Sequence, residues 1–329
     1  MAEDLSAVSL NLWINKTGSV DAIYDGHPLL RKLRGTPDTR GIQKSRKIWR
    51  EESGGEYIQG SPRIAQGVSS TKIRGLEQVD ATPHMPTKKA RWEWAMYGAI
   101  VSIPLYDELR NQGPSQMVND WQDRVTEQMD HMKADIETDF GSANSTGNSG
   151  WIGINGLDST INETATSPTT LGGLTRSTYT GWQNQSTNIN DSVANGVGKM
   201  AAMRATISSV TGHTVDLMLC PAAVWGFLHG FLQSKGEVQF TTSDQPDFGF
   251  PVFRHLGAEV CASQHIKAQS LYFLTTQSLW FCVHKRANFK LLPIQEGART
   301  FGKTRKMVFM GNWASDRWNA NGVCYNITS

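Results

Sequence analysis

The sequence predicts an α+β fold: a long amphipathic helix, a small α/β lobe and a strand-rich tail, preceded by two segments without a core of their own. Three observations carry this. Val118, Trp121, Val125, Met129, Met132, Ile136 and Phe140 step by threes and fours, drawing one apolar stripe along a helix over 115–140. Between 190 and 262, two helical patterns alternate with two short apolar runs. After 270 the apolar residues fall in short runs of strand length.

The helix has clear ends. Gly113, Pro114 and Ser115 open it, with proline where a missing N–H does no harm and serine as a candidate cap. Gly141 and a Ser/Asn/Gly run close it. At 1.5 Å per residue it would be ~39 Å long, long enough to act as a spine for other elements. Its other face is acidic: Asp120, Asp123, Glu127, Asp130, Asp135, Glu137 and Asp139 stand against Arg124 and Lys133.

Residues 1–41 hold one short apolar segment (Leu5, Val8, Leu10, Leu12, Trp13) and too little else to fold alone, so they read as an arm lying on something larger. Residues 42–106 read as a long hairpin. Gly54 and Gly55 precede an extended run at 56–60, and a polar, turn-rich stretch follows. Then Trp92, Trp94 and Met96 alternate with Arg91 and Glu93, and Ala99–Ile103 is apolar on both faces, as if its end entered a core. A two-stranded ribbon is marginal alone, so tryptophans on it need a partner: a neighbouring molecule or their own domain.

After the spine, Gly150, Gly153 and Gly156 are spaced by three, but no phosphate-loop fingerprint accompanies them, and turns explain them better. Asn190 is a candidate cap for a helix carrying Val193, Val197, Met200, Met203 and Ile207. Val215–Leu219 reads as a strand. Pro221 starts a helix with Val224, Phe227, Leu228, Phe231 and Leu232, ending at Gly236, and a strand near 258–261 follows. The tail strands fall near 271–274, 279–283, 289–292, 307–310 and 323–327. They have no helix of their own, so the spine is their expected cover. That makes 111–141 and 265–329 one discontinuous lobe, with the α/β lobe of 190–262 inserted between them.

The 329 residues exceed what one compact core usually holds. Net charge is only +2, without the global basic signature of a nucleic-acid binder. The charge is uneven: 31–50 and 285–306 are basic while the spine is acidic, which suits copies that pack on one another. Cys220, Cys261, Cys282 and Cys324 form no C-x-x-C pair, so reduced, buried thiols are expected rather than a zinc site or disulfides. The N-terminus has no secretory pattern, and no apolar run approaches the ~20 residues needed to cross a bilayer.

No catalytic motif appears: no H-E-x-x-H, no G-x-S-x-G, no P-loop, and eight scattered histidines. No cofactor, metal or catalytic residue is expected.

The order of elements, arm, hairpin, acidic helix, inserted lobe and strand-rich return, resembles the major capsid protein of tailed double-stranded-DNA bacteriophages, the Hong Kong ninety-seven type fold. Local phrases match in the same order. His27-Pro28-Leu29-Leu30 with Leu33 resembles the end of that family's N-terminal arm, and Gly54-Gly55 with Ile58, then Gly75-Leu76-Glu77, its extended loop. Trp92 through Ile103, Glu108 and Asn111-x-Gly113 resemble the loop's return into the spine. Gly156-Leu157-Asp158, Gly172-Gly173-x-x-Arg176 and Trp182 resemble the passage into the axial lobe, and Met310-Gly311-Asn312-Trp313 the final strands.

The resemblance implies an N-terminal arm (1–41), an extended loop (E-loop, 42–106), a P-domain (107–148 and 265–329) and an A-domain (149–264). It implies a structural role: hexamers and pentamers closing into an icosahedral shell around phage DNA, in the virion after assembly in host cytoplasm. Implied partners are a separate scaffolding protein, there being no room at the N-terminus for a fused one, a portal, a decoration protein, and packaged double-stranded DNA met without sequence preference; no membrane is implied. Candidate contacts between copies are Trp13, Arg46, Lys47, Trp49, Lys88, Lys89, Trp92, Trp94, Asp120 and Glu127. Some relatives cross-link a loop lysine to an asparagine. Lys72, Lys88 or Lys89 with Asn312 or Asn319 are the residues that could serve, though the sequence gives no positive sign of it. Two rival readings stay open: an encapsulin-like cellular compartment, and an α/β enzyme with Cys220 as a nucleophile at a helix start.

Overall fold

A computed structural model describes residues 49–64, 87–106, 114–144, 150–235, 252–296 and 302–328. The first half contains β1 (Trp49–Glu52), β2 (Ile58–Gly60), β3 (Ala90–Trp92), β4 (Ala95–Pro104), α1 (Pro114–Gly141), α2 (Leu157–Thr160), β5 (Thr170–Leu171) and β6 (Leu174–Thr175). The inserted part adds β7 (Gln185–Ser192), α3 (Val193–Thr211), β8 (Leu217–Cys220), α4 (Ala222–Ser234), β9 (Val252–His255) and β10 (Ala258–Ala262). The return brings β11 (Leu271–Leu274), β12 (Leu279–His284), β13 (Lys290–Leu291), β14 (Gln295–Glu296), β15 (Gly302–Ser315) and β16 (Gly322–Thr328).

Two six-stranded sheets result. The body sheet is built around β15. β4 runs antiparallel along one side of it from Gly302↔Pro104 to Gly311↔Ala95. β12, β13 and β14 share the other side, and β1 joins β12 in parallel. The second sheet has the order β7-β16-β11-β8-β10-β9. Within it β8, α4 and β10 form the expected unit, with β10 parallel to β8.

The spine is α1, starting at Pro114 as its sequence requires. Val125, Met129, Met132, Ile136 and Phe140 are all buried, each contributing about 1.5–3 kcal/mol of apolar burial. They share one hydrophobic core with the inward residues of β4, β12 and β15, among them Val101, Ile103, Phe281, Met307, Phe309 and Trp313. Around α3 and α4 a second core gathers Met200, Ile207, Val224, Leu228, Leu232, Val260, Phe273 and Ile327.

Several expectations need correction. The tail does not form one lobe under the spine. β12, β13, β14 and β15 join the body sheet, while β11 and β16 complete the second sheet, so 265–329 is shared between lobes. Nor is 42–106 a free loop throughout: β1 and β4 are strands of the body sheet, and only β2–β3 form the ribbon's base. Residues 65–86, expected as its polar tip, lie outside the described residues. The predicted alternation breaks at Glu93–Trp94, between β3 and β4, so Trp92 is buried while Met96 is 59% exposed. Ala99–Ile103 alternates rather than burying both faces, and Ile100 is 59% exposed. Ser192, not Asn190, holds the position before α3, and it makes no side-chain capping bond; Asn190 sits in β7 with φ 47°. On α4, Phe227 is 40% exposed and Phe231 only half-buried, because the helix buries the narrower row Val224, Leu228 and Leu232. Gly236, the expected end of α4, lies outside the described residues.

The glycine that ends α1 is required by a close approach. A Cβ on Gly141 would lie 1.8 Å from the His265 carbonyl oxygen. Helix propensity alone would favour alanine by roughly 0.5–1 kcal/mol, but overpacking against backbone costs about 1–3 kcal/mol or more. Gly141→Ala is therefore expected to lower the urea unfolding midpoint of dissociated subunits; an unchanged or raised midpoint contradicts this packing.

Candidate inter-subunit surface

The hairpin base is pinned by aromatic rings. β2 pairs with β3 from Ile58↔Trp92 to Gly60↔Ala90, and an Arg63–Thr87 bridge extends the ribbon. Trp92 lies edge-on to Trp280 at 5.3 Å and tilted against Trp182 at 6.2 Å. From Trp182 the contacts continue to Trp318 at 6.0 Å, then Trp313 at 5.7 Å, then Phe140 on the spine at 5.3 Å. The Arg91 N–H donates to the Gly172 carbonyl at 3.0 Å, fastening the ribbon to the β5–β6 turn. Trp280 and Trp318 carry no motif; the one sequence signal for such a chain is the count of 11 tryptophans.

This geometry sorts the candidate contacts. Trp92 is 1% exposed and fills its own core, so it is corrected from a contact between copies to a structural anchor. Trp94 is half-buried, its indole N–H donating to the Gly55 carbonyl at 3.0 Å and its ring edge-on to His284. Lys88, Lys89 and Glu127 are exposed. Trp13, Arg46 and Lys47, Lys72, and the side chains of Trp49 and Asp120 lie outside the described residues. Asn312 is corrected as a cross-linking residue. It is 1% exposed, accepts the N–H groups of Asn155 and Trp313, and donates to the Glu93 carbonyl at 2.9 Å. Asn319 is half-buried.

The body has two unlike faces. Along α1 the exposed residues include Asp123, Glu127, Asp130 and Asp135. Nearer its C-terminal end Asp139 accepts the Tyr97 hydroxyl at 2.6 Å, tying helix to sheet; burial first, and then this bond, push the tyrosine well above its ordinary value. The opposite face of the sheet carries Lys290, Lys306, Met96 and Ile100. Among the described residues, the base of the hairpin covers the part of that face around Trp280.

Polar groups join the two lobes. Lys267, between β10 and β11, reaches Glu163 at 2.7 Å and Asp158 at 3.6 Å. Burial works against its charge, but the two carboxylates outweigh it and raise its pKa. Asp158, on α2, also accepts the Tyr272 hydroxyl at 3.1 Å. Arg176 is fully buried and donates to the Ser167 and Thr160 carbonyls, so burial pulls its pKa down to about 9. This arginine closes the 157–176 segment as a structural clamp.

None of the four cysteines is in a disulfide, and all four are buried. Burial pushes the Cys220 thiol well up, the reverse of what an activated nucleophile needs. Its position at the start of α4 therefore lends the enzyme reading no support. Among the described residues no group of three or more His, Cys, Asp or Glu could hold a metal, and no helix is long and apolar enough to cross a membrane.

This arrangement defines a class: the fold is that of the tailed-phage capsid proteins of the Hong Kong ninety-seven type. The cyanophage A-1(L) capsid matches with a TM-score of 0.58 at 15% identity, over 86% of this chain and 91% of its own. The capsid of the empty GTA particle matches at 0.55 and 10% identity, over 88% and 99%. A chain of Mycobacterium phage Adephagia matches at 0.52 and 8%, over 86% and 89%. No family model and no curated protein sequence matches the chain.

The thiols give a pH test. Burial raises Cys324 from 9.0 to about 12. The folded chain holds its proton where the unfolded chain releases it, so this contribution is intact below pH 9.0 and is lost as pH rises toward 12. Stability is expected to fall across that window by up to about 1.4 kcal/mol per pH unit from this thiol, and Cys324→Ala to make the decline shallower. An identical slope in the variant contradicts the assignment.

Proposed function

We propose that this chain is a major capsid protein whose copies form hexamers and pentamers and close into an icosahedral shell around phage DNA. The observation that carries the reading is the fold match over 86% of this chain and 91% of the cyanophage capsid chain. Three features of the subunit support it. The ribbon's base is locked into the core, so its root is fixed on the body. The body presents an acidic helix on one side and lysines on the other, a charge pattern suited to ordered packing of copies. The net charge of +2 suits a wall that contains DNA without gripping it. Many weak contacts repeated over a lattice then make a strong container. On this reading the exposed Lys88, Lys89 and Glu127 contact neighbouring copies, and Trp94 stiffens the ribbon's exit.

Expression of the full chain, followed by sedimentation and negative-stain microscopy, tests the proposal. Closed shells or sixfold and fivefold clusters are expected. Trp94→Phe, which removes the hydrogen bond to the Gly55 carbonyl and keeps a ring beside His284, is expected to leave subunit unfolding within about 1.5 kcal/mol of wild type, while reducing shell yield. A stable monomer at every concentration overturns the reading. Shells isolated from infected cells that hold a protein cargo and no DNA replace it with the cellular-compartment alternative.

A further inference from the structure

The body sheet ends on β4, and among the described residues β4 pairs with β15 alone. Two observations say which backbone groups face its open side. On β15 the Met310 N–H donates to the Ala287 carbonyl and the Lys306 carbonyl accepts the Leu292 N–H, so even-numbered residues there turn away from β4. Register sets Lys306 opposite Ile100, Val308 opposite Gly98 and Met310 opposite Met96. Opposed residues of an antiparallel pair face together or turn away together, so the N–H and C=O groups of Met96, Gly98 and Ile100 line the open edge. Ser102, next in the same row, offers its carbonyl outward to the Arg124 guanidinium of α1 at 3.0 Å. Met96 and Ile100 are each 59% exposed, and Gly98 is exposed between them.

Folded proteins blunt open edges with charge, shortness or bulges, and the other edges obey this. β1 carries Arg50, Glu51 and Glu52. β9 has four residues including Arg254, and β13 and β14 have two each. β7 bears Asp191 beside Asn190 at φ 47°. β4 has ten residues and no charge. We propose that β4 pairs antiparallel with β4 of a second copy about a twofold axis at Gly98, joining two body sheets into one. The row is self-complementary in that register. Met96 lies opposite the partner's Ile100, Ile100 opposite the partner's Met96, and glycine meets glycine on the axis, each pair exchanging both backbone hydrogen bonds. The four exposed apolar side chains then cover one another. Shifting the axis to residue 99 would set Met96 against the Ser102 carbonyl that Arg124 already holds. Shifting it to residue 97 would need Trp94, which lies before β4. The two Lys306 side chains start ~20 Å apart in the joined sheet, beyond the screening length of about 8 Å. Neither the contact nor its test depends on the coat-protein reading. In a shell, neighbours within one ring present unlike surfaces to each other, so a twofold pair would join two rings.

The test adds one cysteine to the full chain and oxidises it mildly; the four native thiols are buried. Gly98→Cys is expected to give disulfide-linked dimers, because paired Cα atoms lie ~5.5 Å apart, within disulfide reach. A Cβ there meets nothing closer than the Met307 carbonyl at 3.9 Å. Met96→Cys alone and Ile100→Cys alone should not link, while a mixture of the two should. Adding Ile100→Lys to Gly98→Cys should cut the dimer at least fivefold. Each variant is checked by circular dichroism and urea midpoint. No link at 98, self-linking at 96 or 100, failure of the mixed pair, or a yield at 98 no greater than that of Glu127→Cys would overturn the proposal. In the unmodified chain the Gly98 and Ile100 amides should exchange at least tenfold more slowly in associated than in dissociated protein; equal exchange would also overturn it. Protection of those amides without the disulfide at 98 assigns the edge to a different strand and counts against the twofold pair. Shell formation is scored separately, so absence of the link with shells intact overturns this inference alone.

Discussion

A continuous run of buried aromatic rings is the constraint on which the subunit depends. It passes from Phe140 on the spine through Trp313, Trp318 and Trp182 to Trp92 and Trp280. It therefore connects the C-terminal end of α1, two strands of the body sheet, two short 3₁₀ turns and the base of the ribbon. Each ring buries on the order of 150–250 Å², and tilted or edge-on pairs add about 0.5–1.5 kcal/mol beyond area. Glycine makes the approach feasible: a Cβ on Gly60 or Gly172 would press into the Trp92 ring at 2.8 Å or 3.1 Å. The ribbon, which could not stand alone in water, is thus an extension of the core at its root.

The polar groups around this run hold its frame. Asn312 and Asn155 answer each other's neighbours across β15 and the 150–156 turn, so that buried backbone groups there are satisfied by side chains. Arg176 does the same for the Thr160 and Ser167 carbonyls. Arg176 resembles a catalytic group in being buried, charged and perturbed, yet its partners are the chain's own carbonyls. Perturbation here reports structural closure.

Much of the architecture was legible in the sequence because it rests on local periodicity. The spine's stripe, its start at Pro114 and the strand–helix–strand unit of the inserted lobe are written in neighbouring residues, and the buried thiols follow from their apolar flanks. Partition of the tail between two sheets was not legible. β11 and β12 are both short apolar runs separated by a turn, and nothing local says which sheet each joins; that is decided by non-local pairing with β16 and β15. Whether Trp92 packs on its own domain or on a neighbouring copy was not legible for a related reason. A two-residue interruption at Glu93–Trp94 resets the alternation, and a period-two pattern transmits one slip to every later side chain. Asn312 looked available for chemistry because hydrogen bonds from residues more than 150 positions away cannot be seen in the sequence around it.

Native-state amide hydrogen exchange on dissociated subunits tests the aromatic anchor most directly. If the ribbon's root belongs to the core, the Arg91 amide, bonded to the Gly172 carbonyl, opens with the same free energy as the central amides of β15. Trp182→Ala then speeds its exchange more than that of β15. A root that opens several kcal/mol more easily than β15 in the unmodified chain, with no response to loss of Trp182, would contradict the account.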